Sequence, residues 1–158
     1  MTAQHAFSFG GYLLRPAEQA DLHLATEWTA ADVYHAGKTR PEFWIEQTIN
    51  RDSYVLEDTE GPIFFFKIHR LSIKAIELHC QFPPTDQADQ SEGAKYDRKR
   101  VQQGILKGFE WLEGALKKTK VEDLFFDSSH GPLRAFAVKR LGFSIHSRDK
   151  LSKIIGER

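Results

Sequence analysis

A chain of 158 residues, 41% hydrophobic and 28% charged, has the size and make-up of one globular domain rather than a disordered polymer or a pair of domains. Lys+Arg and Asp+Glu balance at 22 each, so bulk charge offers no footprint for DNA, RNA or an anionic membrane. The single cysteine, Cys80, excludes an intrachain disulfide and a cysteine-rich zinc site. No apolar run approaches the roughly 20 residues of a membrane span, and the first residues lack a secretory layout, so the expectation is a cytoplasmic protein.

In chain order, Tyr12-Leu13-Leu14-Arg15 predicts a short strand ended by Pro16. Leu22, Ala25 and Trp28 fall near helical spacing and predict a helix over 17–31. A second helix is predicted over 41–50, where Pro41 suits a first turn and Ile45 and Ile49 stand four apart. Strands over 53–57 and 63–69 flank the turn residues Asp58-Thr59-Glu60-Gly61-Pro62. A third strand over 73–82 alternates Ile76, Leu78, Cys80 and Phe82 with Glu77, His79 and Gln81, the period of a half-buried strand. These three strands form an antiparallel meander.

Pro83-Pro84 stops the meander, and the polar stretch 85–95 is a loop. Val101, Ile105, Phe109, Leu112 and Leu116 mark one face of a long helix over 97–118. A strand over 121–128, a helix over 132–141 capped by Gly142, and a final strand over 143–146 complete the order. The fold class is α/β, a mixed sheet in a single domain. The phenylalanine clusters Phe64-Phe65-Phe66 and Phe125-Phe126 are read as core.

The chemistry-bearing residues fall in four places. The long helix opens on Arg98-Lys99-Arg100, where a helix N-terminus could cradle a phosphate. Glu77 and His79 stand side by side, two residues apart on one strand face, and could accept a proton directly or through water. Asp127, Ser128, Ser129 and His130 close a strand at the end where α/β ligands gather. His35, Arg40 and Trp44 lie between the first two predicted helices. There is no Gly-x-Ser-x-Gly elbow for a hydrolase, and no His-x-x-x-His or Cys/His spacing, so no metal site is expected. Cys80, on the apolar strand face, is read as core rather than as a nucleophile.

This order of elements, with Tyr12-Leu13-Leu14-Arg15-Pro16-Ala17 near the start and Lys139-Arg140-Leu141-Gly142-Phe143 near the end, resembles the GNAT superfamily of acyl-CoA N-acyltransferases over roughly residues 11–146. The resemblance implies a GNAT-like fold, acetyl-CoA as acyl donor, and a small-molecule or peptide amine as acceptor. Homodimers are common in that superfamily, although nothing in the sequence specifies an interface.

By the same resemblance Arg98, Lys99, Arg100, Val101, Gln102, Gln103 and Gly104 stand where the family binds the CoA pyrophosphate. Gln81 and Phe82 lie nearest the thioester carbonyl, and Glu77 or His79 assists proton removal. His35, Arg40 and Trp44 shape the acceptor pocket, while Asp127 and Ser128 contact the pantetheine arm or the acceptor. Two departures stand out. The family loop, Gln/Arg-x-x-Gly-x-Gly/Ala, maps onto Asp97, Arg100 and Gln102, or in another register onto Val101, Gly104 and Leu106, and is incomplete in both. Gly131 and Val138 replace the family's frequent Asn and the Tyr that protonates the departing thiolate. Three readings therefore stand: an N-acetyltransferase acting by direct attack, a catalytically silent protein of the same fold that binds a ligand or partner, and an acyltransferase with another donor.

Overall fold

The computed structural model describes residues 5–32, 39–84, 98–128, 131–147 and 150–155. The chain enters through a hairpin of β1 (Phe7–Phe9) and β2 (Tyr12–Pro16). Gly10 and Gly11 make its turn with φ of 53° and 86°, a left-handed pair that L side chains resist. Pro16 continues β2 beyond the reach of β1, so its missing N–H costs no ladder bond on that side.

The first helix starts later than its spacing predicts. Arg15 donates to both carboxylate oxygens of Asp21 at 2.8 Å, and Asp21 also accepts from the Glu18 amide at 2.8 Å. This holds Gln19–Asp21 as a 3-10 turn before α1 (Leu22–Ala31). The helix predicted over 41–50 is a single 3-10 turn, Pro41–Trp44. Gln47 captures the Ser53 amide and carbonyl at 2.7 and 2.8 Å, and the Ser53 hydroxyl donates to the Glu46 carbonyl at 2.7 Å. Those bonds pull the backbone out of the helix, and Ile49, four residues from Ile45, is 91% exposed.

β3 (Arg51–Asp58), β4 (Gly61–Arg70) and β5 (Ala75–Gln81) form the antiparallel meander. α2 (Arg98–Leu116) then crosses to β6 (Asp123–Asp127), which pairs with β5 in parallel. α3 (Gly131–Arg140) leads to β7 (Ser144–Ile145) and β8 (Lys150–Ile154). The eight strands among the described residues lie in the order β1-β2-β3-β4-β5-β6-β8-β7. Neither β1 nor β8 is predicted from the sequence; β8 buries only Leu151 fully and inserts between β6 and β7.

α2 and α3 cover one face of the sheet, packing Val101, Ile105, Phe109, Leu112 and Ala137 on Leu56, Ile63, Leu78, Leu124 and Phe126. The other face is smaller: α1 and the 41–44 turn enclose Trp28, Trp44, Val55 and Phe65. Each such side chain, fully buried, contributes about 1.5–3 kcal/mol. The triplet at the centre of β4 divides between the two, Phe64 and Phe66 toward α2 and Phe65 edge-on to Trp28 at 5.2 Å. The parallel pairing ends at Leu78↔Phe126, although β5 runs on to Gln81 against β4. The sheet therefore parts between β5 and β6 at their C-terminal ends, the feature that positions the candidate site.

Candidate functional site

His79 is the first residue of β5 beyond the last β5–β6 pair. Its Nε2 lies 3.0 Å from Glu77 Oε1, while Lys150, on β8, places Nζ 2.7 Å from Glu77 Oε2. Antiparallel register sets His69 of β4 directly opposite Glu77, so donor atoms of His69, Glu77 and His79 lie within 4.8 Å of one another. The Phe43 ring stands edge-on to the His79 imidazole at 5.9 Å. Glu77 is buried and the His79 side chain is 26% exposed, which gives a sheltered but reachable base.

The electrostatics follow from that placement. Burial alone would raise the Glu77 pKa, but the hydrogen bond from Lys150 and the neighbouring His79 outweigh it and hold the carboxyl below its usual range. Burial pushes the His79 pKa down, against the opposing pull of Glu77 and Asp127, so the ring is neutral at pH 7. A neutral ring that donates Nε2–H to a carboxylate keeps its lone pair on Nδ1, the arrangement of an oriented general base. Next to it on β4, opposite His79, Lys67 is fully buried, donates to the Phe43 carbonyl and sits 3.9 Å from the Phe43 ring centroid. Its burial pushes the ammonium pKa down to about 8.

Gln81 and Phe82 point to opposite sides of the sheet. Gln81 is buried and donates through Nε2 to Asp32 at 2.9 Å and to the Phe82 carbonyl at 3.2 Å; its Oε1 has no partner among the described residues. The Phe82 ring packs at 5.3 Å on Phe64, toward α2. Asp127 closes β6 opposite Lys150, and Ser128 is buried with its carbonyl accepting from Arg134 at 3.0 Å. His35, Ser129 and His130 lie outside the described residues.

The expected phosphate loop divides by side-chain direction. Arg98, Lys99, Gln102 and Gln103 face outward or to the rim. Val101 is spent on the core. Gly104 lets α2 approach the sheet, since a Cβ there would meet Ile63 methyls at 3.0 and 3.1 Å. Arg100 turns away to the β3–β4 turn, where Nε and Nη2 grip Asp58 at 2.7 and 2.6 Å and Nη2 also donates to the Gly61 carbonyl at 2.7 Å. Arg100 and Gly104, expected at the phosphate, thus make packing contacts in this structure. Trp44, expected at an acceptor pocket, is 3% exposed within the α1-side core, and Arg40 is exposed and paired with Glu46 at 3.2 Å.

Sequence reasoning missed His69, Lys67 and Lys150. The first two emerge only from the β4–β5 register, and Lys150 from a strand the polar C-terminal stretch conceals. A register-aware scan of the hairpin would have paired His69 with Glu77. Among the described residues, no helix is long and apolar enough to cross a membrane.

No protein-family model matches the chain, and no curated protein matches it by sequence. Solved structures do match in fold. The ribosomal-protein-S18-alanine N-acetyltransferase from Escherichia coli superposes with a TM-score of 0.65 at 17% identity, covering 93% of this chain and 96% of that one. Spermidine N-acetyltransferase from Vibrio cholerae, solved in complex with CoA and spermine, gives 0.58 at 12% identity over 92% and 96%. The GNAT domain of PAT from S. lividans gives 0.59 at 10% identity over 90% of each chain. At such identities the likeness establishes architecture: the chain has the GNAT fold, with its mixed sheet parted between β5 and β6.

Proposed function

We propose that this protein is an N-acetyltransferase of the cytoplasm that moves an acetyl group from acetyl-CoA to an amine by direct attack. The observation that carries this reading is the Glu77–His79 pair at the parting of β5 and β6, within a fold whose matched structures include N-acetyltransferases. The residues present fit the donor: Arg98 and Lys99 in the first turn of α2 would meet its phosphates, and β5 from His79 to Gln81 would run beside its thioester. The amine nitrogen attacks the carbonyl carbon, and the tetrahedral adduct expels the thiolate. His79 Nδ1 takes the amine proton, directly or through water, while Glu77 holds the ring and stabilises the imidazolium. Val138 donates no proton, so the thiolate leaves unassisted or is protonated by water.

The acceptor is a primary amine, and the matched structures nominate polyamines and protein N-termini for a first panel. The test is calorimetric titration of acetyl-CoA followed by thiol release in the presence of spermidine, spermine and peptides with a free N-terminal alanine. Saturable binding with amine-dependent thiol release supports the reading. Binding without transfer to any amine, or no binding at all, favours a silent GNAT-fold protein, the alternative that Arg100, Gly104 and Val138 support.

A further inference from the structure

We propose that His69, Glu77 and His79 form a site for one divalent transition-metal ion of the Zn2+ class. Two imidazoles and a carboxylate are the donor types such ions select, and the three already converge with donor atoms within 4.8 Å. Ligands held about 2.0–2.2 Å from an ion lie roughly 3–4 Å apart, and the His79–Glu77 distance is 3.0 Å before any ion arrives. Bringing all three donors onto one ion requires the widest of these gaps, at most 4.8 Å, to close to about 4 Å.

The convergence is set by backbone rather than by chance rotamers. His69 and Glu77 are register partners on β4 and β5, His79 is two residues further on the same face, and both strands lie inside the sheet. Opposite cross-strand residues begin about 5 Å apart, the span a single ion bridges. Glu77 can ligate through Oε1, because Lys150 occupies Oε2 and would remain there as an outer partner that fixes the carboxylate. Three protein ligands leave further positions open to water or an added ligand.

The inference uses the same Glu77 and His79 as the acetyl-transfer reading, and an ion on His79 Nε2 and Glu77 Oε1 would replace the hydrogen bond that readies the base, so the ion-loaded and base-active forms exclude each other; the test uses neither CoA nor an amine. Untagged, chelator-stripped protein is titrated with Zn2+ by calorimetry, and with Co2+ by visible absorption. One equivalent should bind saturably, with intense Co2+ bands of low coordination number. His69→Ala and His79→Ala should each weaken binding about tenfold or more, while His23→Ala, on the exposed face of α1, should change nothing. His69→Gln, which keeps size and polarity, carries the test if the alanine variant does not fold. Absence of saturable binding overturns the proposal. So does binding that His69→Ala and His69→Gln leave intact, or that His23→Ala weakens equally, since the ion then lies elsewhere.

Discussion

Arg100 offers the sharpest separation of a packing role from a ligand role. It joins the first turn of α2 to the β3–β4 turn through two bonds to Asp58 and one to the Gly61 carbonyl, and its side chain is 14% exposed against 19% for Asp58. An exposed ion pair is worth about 0.2–1 kcal/mol, whereas breaking a buried one costs about 3–5. A bidentate, mostly covered pair with an extra carbonyl contact falls between, so Arg100→Met should cost about 2 kcal/mol. For a chain of this length that lowers the melting temperature by about 4–8 °C.

The loss should depend on pH in one direction. Arg100 holds the Asp58 carboxyl below its ordinary 3.8, and burial only partly opposes it. The folded state thus binds fewer protons than the unfolded state around that value. The contribution is fully present above the unfolded pKa and fades as pH falls through the depressed one. Thermal melts of wild type and Arg100→Met at pH 7 and at successively lower pH read this out, and the gap between them should narrow as pH falls below 3.8. A double-mutant cycle with Asp58→Asn at pH 7 should return coupling of at least about 1 kcal/mol. A melting point within about 1 °C of wild type at pH 7, combined with weakened acetyl-CoA binding, would refute the clamp and return Arg100 to the phosphate site.

Three other outcomes are expected. His79→Ala should cut turnover by about 10²–10⁴-fold where a competent amine is found; the acid limb of wild-type activity should lie below the ordinary histidine value of 6.5, and Glu77→Gln should move it lower still by removing the neighbouring anion. Kinetics at full rate in His79→Ala would dismiss it as the base. Lys67 has a folded pKa of about 8 against an ordinary 10.5, so the unfolded state binds the extra proton between those values. Wild type should therefore gain up to about 2 kcal/mol of stability from pH 8 to 10 relative to Lys67→Met, checked by denaturant titration; parallel pH profiles would contradict this. Burial raises the Cys80 thiol pKa, so a thiol reagent should label it only on unfolding, and prompt labelling of native protein would mean that β5 is open to solvent.

Fold legibility followed how completely burial controlled each segment. The α2 stripe from Val101 to Leu116 was readable because every one of its apolar positions meets the sheet, and the element observed is Arg98–Leu116 against an expected 97–118. The β5 alternation was readable on its apolar face for the same reason, but the strand is not half-buried, since Glu77 and Gln81 on its polar face are buried too. Failure came where side chains bond to backbone. Ile45 and Ile49 have helical spacing, yet Gln47 and Ser53 tie the chain into another path through contacts that spacing does not encode. β1 and β8 were invisible because each buries little and depends on a neighbour for its hydrogen bonds.

Glycine illustrates the corresponding limit for the site. Of the three glycines in α2, Gly104 and Gly108 suggest a backbone left bare for a ligand, but their missing Cβ atoms face Ile63, Leu56 and Phe64. At Gly104 a methyl must push Ile63 aside, while Ala would gain about 1 kcal/mol of helix propensity. The residue type alone leaves a ligand contact and a helix–sheet contact equally open; only the partner decides. Glu77 and His79 are the opposite case. Their spacing already put them on one face, and cross-strand register then added His69 and Lys150, turning two polar residues into an ion-paired cluster. A single strand's period supplies half of such a site, and the other half is carried by pairings between segments that lie far apart in the chain.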